Sequence, residues 1–132
     1  MKPTDKEKFD VSISNIVPAY NEEALIENTI QHLVSTGAKW VSDLEIIIVN
    51  DGSVDKTPEI IDGLAEKYEI VRAIHQSPNK GFGATVRVGY ETATKDLLTY
   101  CPSDHHFSDK EFDIYLSLIK HADIVLGYRR ER

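Results

Sequence analysis

A chain of 132 residues with 41% hydrophobic side chains has the size and apolar content of one domain with a buried core, which argues against disorder. Its 22 acidic and 15 basic side chains leave a formal charge of -7, which speaks against a nucleic-acid surface and a polybasic membrane patch, so an anionic ligand would need local cations or a metal. The single cysteine, Cys101, excludes an intrachain disulfide and suits a reducing compartment, no apolar run approaches the roughly 20 residues that span a bilayer, and MKPTDKEKFD lacks the apolar segment of a signal peptide; the expectation is a soluble, cytoplasmic chain.

Residues 1–10 are charged and contain Pro3, and they read as a loose arm ahead of one domain over 11–132. Val11 to Val17 alternates and then turns apolar, as a first strand does, and Pro18 closes it. Asn21 has the chemistry of a helix cap, with Glu22 and Glu23 favoured by the helix dipole in the first turn. Ile26, Ile30, Leu33 and Val34 share one helical face, and Gly37 is the expected stop.

The most informative stretch follows. Leu44 to Val49 is apolar apart from Glu45, too short for a typical helix, and β-branched enough for a strand buried on both faces. It breaks into Asn50, Asp51, Gly52 and Ser53, which is turn chemistry. Thr57 and Pro58 then open a helix carrying Ile60, Ile61, Leu64, Ala65 and Tyr68 at helical spacing. Ile70 to Ile74 makes a short strand, a helix from about Ala84 places Val86, Tyr90 and Ala93 on one face, and Asp96 to Cys101 is the next strand. Ser108 and Glu111 form a capping box before Phe112, Tyr115, Leu116 and Ile119, and Ala122 to Gly127 is the last expected strand. Strands alternating with helices predict an α/β fold: one mostly parallel sheet with helices on both faces.

Four loops follow strand ends and so belong on one sheet edge: PAYNEE, NDGSVD, SPNKGFG and PSDHHF. In open α/β sheets that edge is where ligands sit. The loops present Tyr20, Glu22, Asp51, Asn79, Lys80 and Asp104, with glycines that let backbone approach a ligand closely. Such an edge suits a base and ribose held by hydrogen bonds and aromatic contact, with a pyrophosphate steadied by a carboxylate-bound divalent cation.

PAYNEE, NDGSVDKT, NKGFGATVRVGY and ADIVLGYR, in that order, resemble the GT-A (Rossmann-like) fold of the family 2 inverting glycosyltransferases. The closest subgroup by these motifs is the polyprenyl-phosphate (dolichol-phosphate mannose synthase) type, and the likeness runs from about Val11 to Arg130. It implies a nucleotide-sugar donor, transfer of the sugar with inversion to a polyprenyl-phosphate or similar acceptor, and metal assistance by Mg²⁺ or Mn²⁺. By the same resemblance Pro18, Tyr20 and Glu22 line the nucleotide pocket, Asp51 addresses the base, and Asn79, Lys80 and Gly81 border that pocket.

Two departures stand out. In PSDHHF, Pro102 takes the place of the first aspartate of the family's metal-binding DxD motif, leaving Asp104 as the expected metal ligand. Mg²⁺ often needs only one or two protein carboxylates, and His105 or His106 would favour Mn²⁺. The chain also stops at GYRRER, where family members continue into an acceptor-binding part, and no residue matches the general base. A non-catalytic nucleotide-sugar-binding module is the alternative reading. Any membrane contact would come through segments beyond this chain or through the acceptor, and the edges of a shortened sheet could pair two copies.

Several residues have blander readings. Asp51 with Gly52 would by itself be only a turn. Arg87 sits where it can pair with Glu91 on a solvated face, His75 reads as a strand-end residue, Cys101 as core, and Arg129, Arg130 and Arg132 as a charged end.

Overall fold

The structure is a computed structural model that describes residues 8–103 and 108–127. Eight elements alternate along it: β1 (Phe9–Ala19), α1 (Ile26–Trp40), β2 (Val41–Asp51), α2 (Thr57–Lys67), β3 (Val71–Gln76), α3 (Phe82–Thr92), β4 (Leu97–Tyr100) and α4 (Asp109–Ile119). The strands form one sheet in the order β3-β2-β1-β4, and every pairing is parallel. The α/β expectation is met.

The layers follow from alternation along the two central strands. Ile46 and Ile48 of β2, with Ile13 and Val17 of β1, face a cluster closed by Ile26, Ile30 and Leu33 of α1, Ile61 and Leu64 of α2, and Phe112 and Leu116 of α4. Ile16, Ile47 and Val49 point the other way, toward Val88 and Ala93 around α3. Ile46, Ile47, Ile48 and Val49 are all fully buried, as expected of a strand covered on both faces. The sheet is therefore a rigid floor with three helices beneath and α3 above.

The glycines correct two expectations. Gly37 does not end α1, which runs on to Trp40. A Cβ at Gly37 would lie 2.2 Å from Leu44 Cδ2, so this glycine brings the helix close to β2 instead of stopping it. On α3 the face against the sheet is Thr85, Val88 and Gly89, while Tyr90, expected on that face, is 40% exposed. Gly89 has no apolar bulk to signal its place, yet a Cβ there would lie 2.3 Å from Ile16 Cγ2; the missing atom allows the helix to seat on β1.

Three boundaries also differ. Strand β1 starts at Phe9, inside the segment expected to be a loose arm, and its first pairing is Phe9 with Val41. Helix α3 begins at Phe82, two residues before the expected start. Residues 122–127 form no strand. Ile124 is 72% and Leu126 84% exposed, because β-prone sequence becomes a strand only with a partner to pair. The capping box is present as expected: Ser108 Oγ accepts the Glu111 N–H and Glu111 Oε2 accepts the Ser108 N–H.

Candidate functional site

Chain order runs outward from β1 to β2 to β3 and then returns to place β4 on the other side of β1. Loops leaving β1 and β4 thus diverge, which opens a crevice at their carboxyl ends. A cleft of about 370 Å³ lies there, within the range of small-ligand sites.

Six of the seven residues expected to bind the nucleotide line this cleft: Pro18, Tyr20, Glu22, Asp51, Asn79 and Gly81. They come from three separate loops. Lys80 is not among the lining residues; its backbone N–H instead donates to Asp51. Asp104, His105, His106, Arg129, Arg130 and Arg132 lie outside the described residues. Among the described residues no group of three or more His, Cys, Asp and Glu side chains could hold a metal ion.

The first two loops are laced together. Asn21 is not a helix cap: it takes a left-handed conformation (φ 51°), and Leu25 occupies the cap position of α1 without a side-chain bond. This turns the Asn21 amide toward the neighbouring loop, where Oδ1 accepts the Val54 N–H at 2.9 Å while the Asn21 N–H donates to Ser53 Oγ at 3.0 Å. The Glu22 N–H donates to Thr57 Oγ1, the Glu23 N–H to Asp55 Oδ2, and the Lys56 N–H to Glu23 Oε2. Asp55 also accepts the Thr57 N–H. Loss of water around Asp55 opposes its charge, but the bonds from the Thr57 hydroxyl and nearby backbone N–H groups outweigh that and hold its carboxyl below the ordinary range. Glu22 and Glu23 therefore sit in loops whose backbone donors are already satisfied by side chains, rather than acting only as dipole partners.

Asp51 does for the third loop what Asn21 and Asp55 do for the first two. Its side chain is 4% exposed; Oδ1 accepts the Lys80 N–H at 2.7 Å and Oδ2 the Gly81 N–H at 2.9 Å. Asn79 Nδ2 returns a bond to the Asp51 carbonyl at 3.1 Å. The adjoining Gly52 has φ 72°, and a Cβ there would lie 2.6 Å from the Asn79 nitrogen, so the turn and the glycine loop touch through backbone. Each carboxylate oxygen still has a lone pair for a ligand donor. Asp51 is thus both a cleft wall and the clasp of the loop opposite.

Ala19, Phe82, Thr85, Tyr100 and Ser103, which no sequence motif singles out as ligand residues, and Pro102, which stands out only as a departure from a motif, also line the cleft. Thr85 Oγ1 donates to the Gly81 carbonyl and accepts from Gln76 Nε2, which fixes the first turn of α3 against β3. The Ser103 carbonyl accepts the Thr29 hydroxyl, tying the end of β4 to α1. Placing the start of α3 at Ala84 hid Phe82 in a loop. Its signal was an aromatic between two glycines.

The blander readings of the other candidates match their places. His75 lies within β3, between Asn50 and Asp62 (3.1 and 2.8 Å), outside the cleft lining. Arg87 pairs with Glu91 on the exposed side of α3 at 2.9 Å, a contact worth a few tenths of a kcal/mol. Cys101 is fully buried in the core. The charged side chains lining the cleft are Glu22 and Asp51, both acidic. For the described residues, an anionic group bound there would have to bring or share a cation.

The family model described as glycosyl transferase family 2 matches residues 14–132. The chain belongs to that family. Among curated relatives of this family 2 chain, glycosyltransferase AglD of Haloferax volcanii is 34% identical over 105 residues, covering 78% of this chain and 17% of the relative. Dolichyl-phosphate beta-glucosyltransferase ALG5A of Trichomonas vaginalis is 32% identical, covering 98% of this chain and 43% of its own length. The chain thus spans less than half of either relative. The mannosyltransferase PcManGT from Pyrobaculum calidifontis, solved in complex with GDP-Man and Mn²⁺, superposes with a TM-score of 0.70 at 22% identity, covering 90% of this chain and 35% of that one. TarS 1–349 of S. aureus, solved with UDP-GlcNAc, gives 0.68 at 22% identity and covers 83% and 31%. At these identities the two structures speak for the GT-A fold. Among the described residues no helix is long and apolar enough to cross a membrane.

Proposed function

We propose that this family 2 chain is the donor-binding part of an inverting glycosyltransferase that takes a nucleotide-sugar and passes the sugar to a polyprenyl-phosphate or similar acceptor. The observation that carries the reading is the cleft at the switch between β1 and β4, walled by Pro18, Tyr20, Glu22, Asp51, Asn79 and Gly81 from loops far apart in sequence. In this reading Tyr20, Asp51 and Asn79 hold the base and ribose, and the diphosphate lies toward the end of β4. The lipid-phosphate acceptor is supported by the name of the Trichomonas relative. It would engage parts of the protein beyond this chain, and with them any membrane contact.

Mg²⁺ or Mn²⁺ at Asp104 belongs to the same proposal. The acidic lining supports it, since nothing basic among the lining residues would balance a diphosphate. A bound cation would supply the positive charge that offsets the leaving nucleoside diphosphate. The chain's own part is to hold the donor so that an acceptor oxygen can meet the anomeric carbon in line. Pro102 lines the cleft where the family has an aspartate, and it keeps a binding module without turnover as the second reading.

Thermal unfolding in the presence of UDP-, GDP- and dTDP-sugars, each with and without Mn²⁺, tests the assignment. One donor class should stand out: at about 100 times Kd a bound ligand adds about 2.7 kcal/mol of stability. If no nucleotide-sugar raises the transition, the donor-site reading fails. Asp104→Ala should leave the unfolding transition of the free chain in place and remove the part of the donor response that depends on Mn²⁺. An unchanged Mn²⁺ response in that variant would move the metal elsewhere.

A further inference from the structure

Phe82 is a large aromatic side chain left 60% exposed at the first position of α3, and it belongs to neither of the two buried apolar clusters. Exposed rings in a cleft are costly to solvate and well suited to a ligand. The ring meets Tyr100 edge-on, with centroids 5.5 Å apart and planes at 83°. Tyr100 closes β4 and is the register partner of Ile16, so it rises on the α3 face of the sheet, across β1 from Asp51. The backbone of Phe82 starts on the Asp51 side, next to Gly81, and its side chain carries the wall over to β4. Both rings line the cleft and form a right-angled apolar corner.

A nucleotide-sugar has two cyclic ends with different surfaces. The base is flat and carries its donors and acceptors along an edge, which matches the carboxylate of Asp51 and the amide of Asn79 at the β2 end. The sugar has a patch of C–H bonds framed by hydroxyls. Its complement is an apolar ring corner accompanied by oxygen groups, and Glu22 and Ser103, from the β1 and β4 ends, supply those in the same cleft.

We propose that Phe82, backed by Tyr100, is the platform for the C–H face of the donor's sugar and is a specificity-determining residue of this site. The proposal rests on the donor-binding reading above and adds which end of the donor meets which wall. The test is calorimetric titration of the native chain and of Phe82→Ala, in the presence of Mn²⁺, with a nucleotide-sugar and with the matching nucleoside diphosphate that lacks the sugar. Phe82→Ala should bind the nucleotide-sugar about tenfold more weakly, as expected for a lost ring stack. The nucleoside diphosphate should keep its affinity. Phe82→Tyr, which retains the ring, should restore the difference between the two ligands, and far-UV circular dichroism should show α3 intact in both variants. Equal losses for both ligands would place the ring against the nucleotide and overturn the proposal, as would no loss for either. If the native chain binds neither ligand, the donor-binding reading falls and takes this one with it; a native chain that binds both but shows no selective loss overturns this one alone.

Discussion

Replacing Asp51 by alanine is expected to weaken donor binding at least about tenfold and to cost about 2 to 4 kcal/mol of stability, because two partly buried N–H groups lose a charged acceptor. Those groups, on Lys80 and Gly81, lead directly into α3, so the clasp sets the position of the wall that carries Gly81 and Phe82. Asp51→Asn should retain more stability than Asp51→Ala. Its oxygen can accept one of the two bonds, but its NH₂ then faces the other N–H donor. Urea denaturation gives the stability and calorimetry with a nucleotide gives the affinity. Should Asp51→Ala unfold within about 0.5 kcal/mol of the native chain, inside the range of ordinary surface changes, the clasp is not holding the loop.

The second large effect lies at the opposite end of the sheet. Glu45, the one charged residue in the apolar run Leu44 to Val49 of β2, is 7% exposed. Its Oε1 accepts from Ser14 Oγ at 2.6 Å, from the Thr94 N–H at 2.7 Å and from Thr94 Oγ1 at 2.9 Å, while Arg72 approaches Oε2 at 3.5 Å. These contacts join β1, β2, β3 and the segment that leads from α3 to β4. Burial by itself would raise the Glu45 carboxyl, but the three hydrogen bonds and the Arg72 charge outweigh it and hold the group below its ordinary value of 4.5. Glu45→Ala should cost about 2 to 4 kcal/mol, most of it from buried donors left without an acceptor.

Because the folded carboxyl is the stronger acid, its contribution is complete above the unfolded value of 4.5 and is lost as pH falls through the lower folded value. The stability difference between the native chain and Glu45→Gln should therefore be largest at about pH 7 and shrink steadily on acidification below about pH 4. Urea titrations of both proteins across that range check it. A difference that grows as pH falls would contradict the assignment.

Glu45 also shows where local sequence stops being informative. As a lone charge in the apolar run Leu44 to Val49 it reads as an exception, and its hydrogen-bond partners come from 31 and 49 residues away, so no local pattern announces them. Gly37 and Gly89 are similar: a glycine in a helical pattern reads as a stop or a weakness, whereas here each removes a Cβ that would strike a neighbouring element. Phe82 was hidden for a simpler reason. The start of a helix that has no side-chain cap leaves little trace in sequence.

What the sequence settles unaided is whatever depends on near neighbours along the chain. The apolar run from Leu44 to Val49, the helical spacing of Ile26, Ile30 and Leu33, the Ser108 box and the turn residues after each strand identify the α/β alternation and put the polar loops on one edge. Their physics is periodicity and turn chemistry, both local. The tertiary structure alone decides the strand order that opens the crevice beside β1, the clasp of Asp51 on a loop 29 and 30 residues further on, the seating of Phe82 against Tyr100, and the fate of the apolar 122–127 segment. Each of these is a contact between surfaces that meet only after the sheet has formed, and a hydrogen-bond donor or an apolar face carries no mark of the partner it will find.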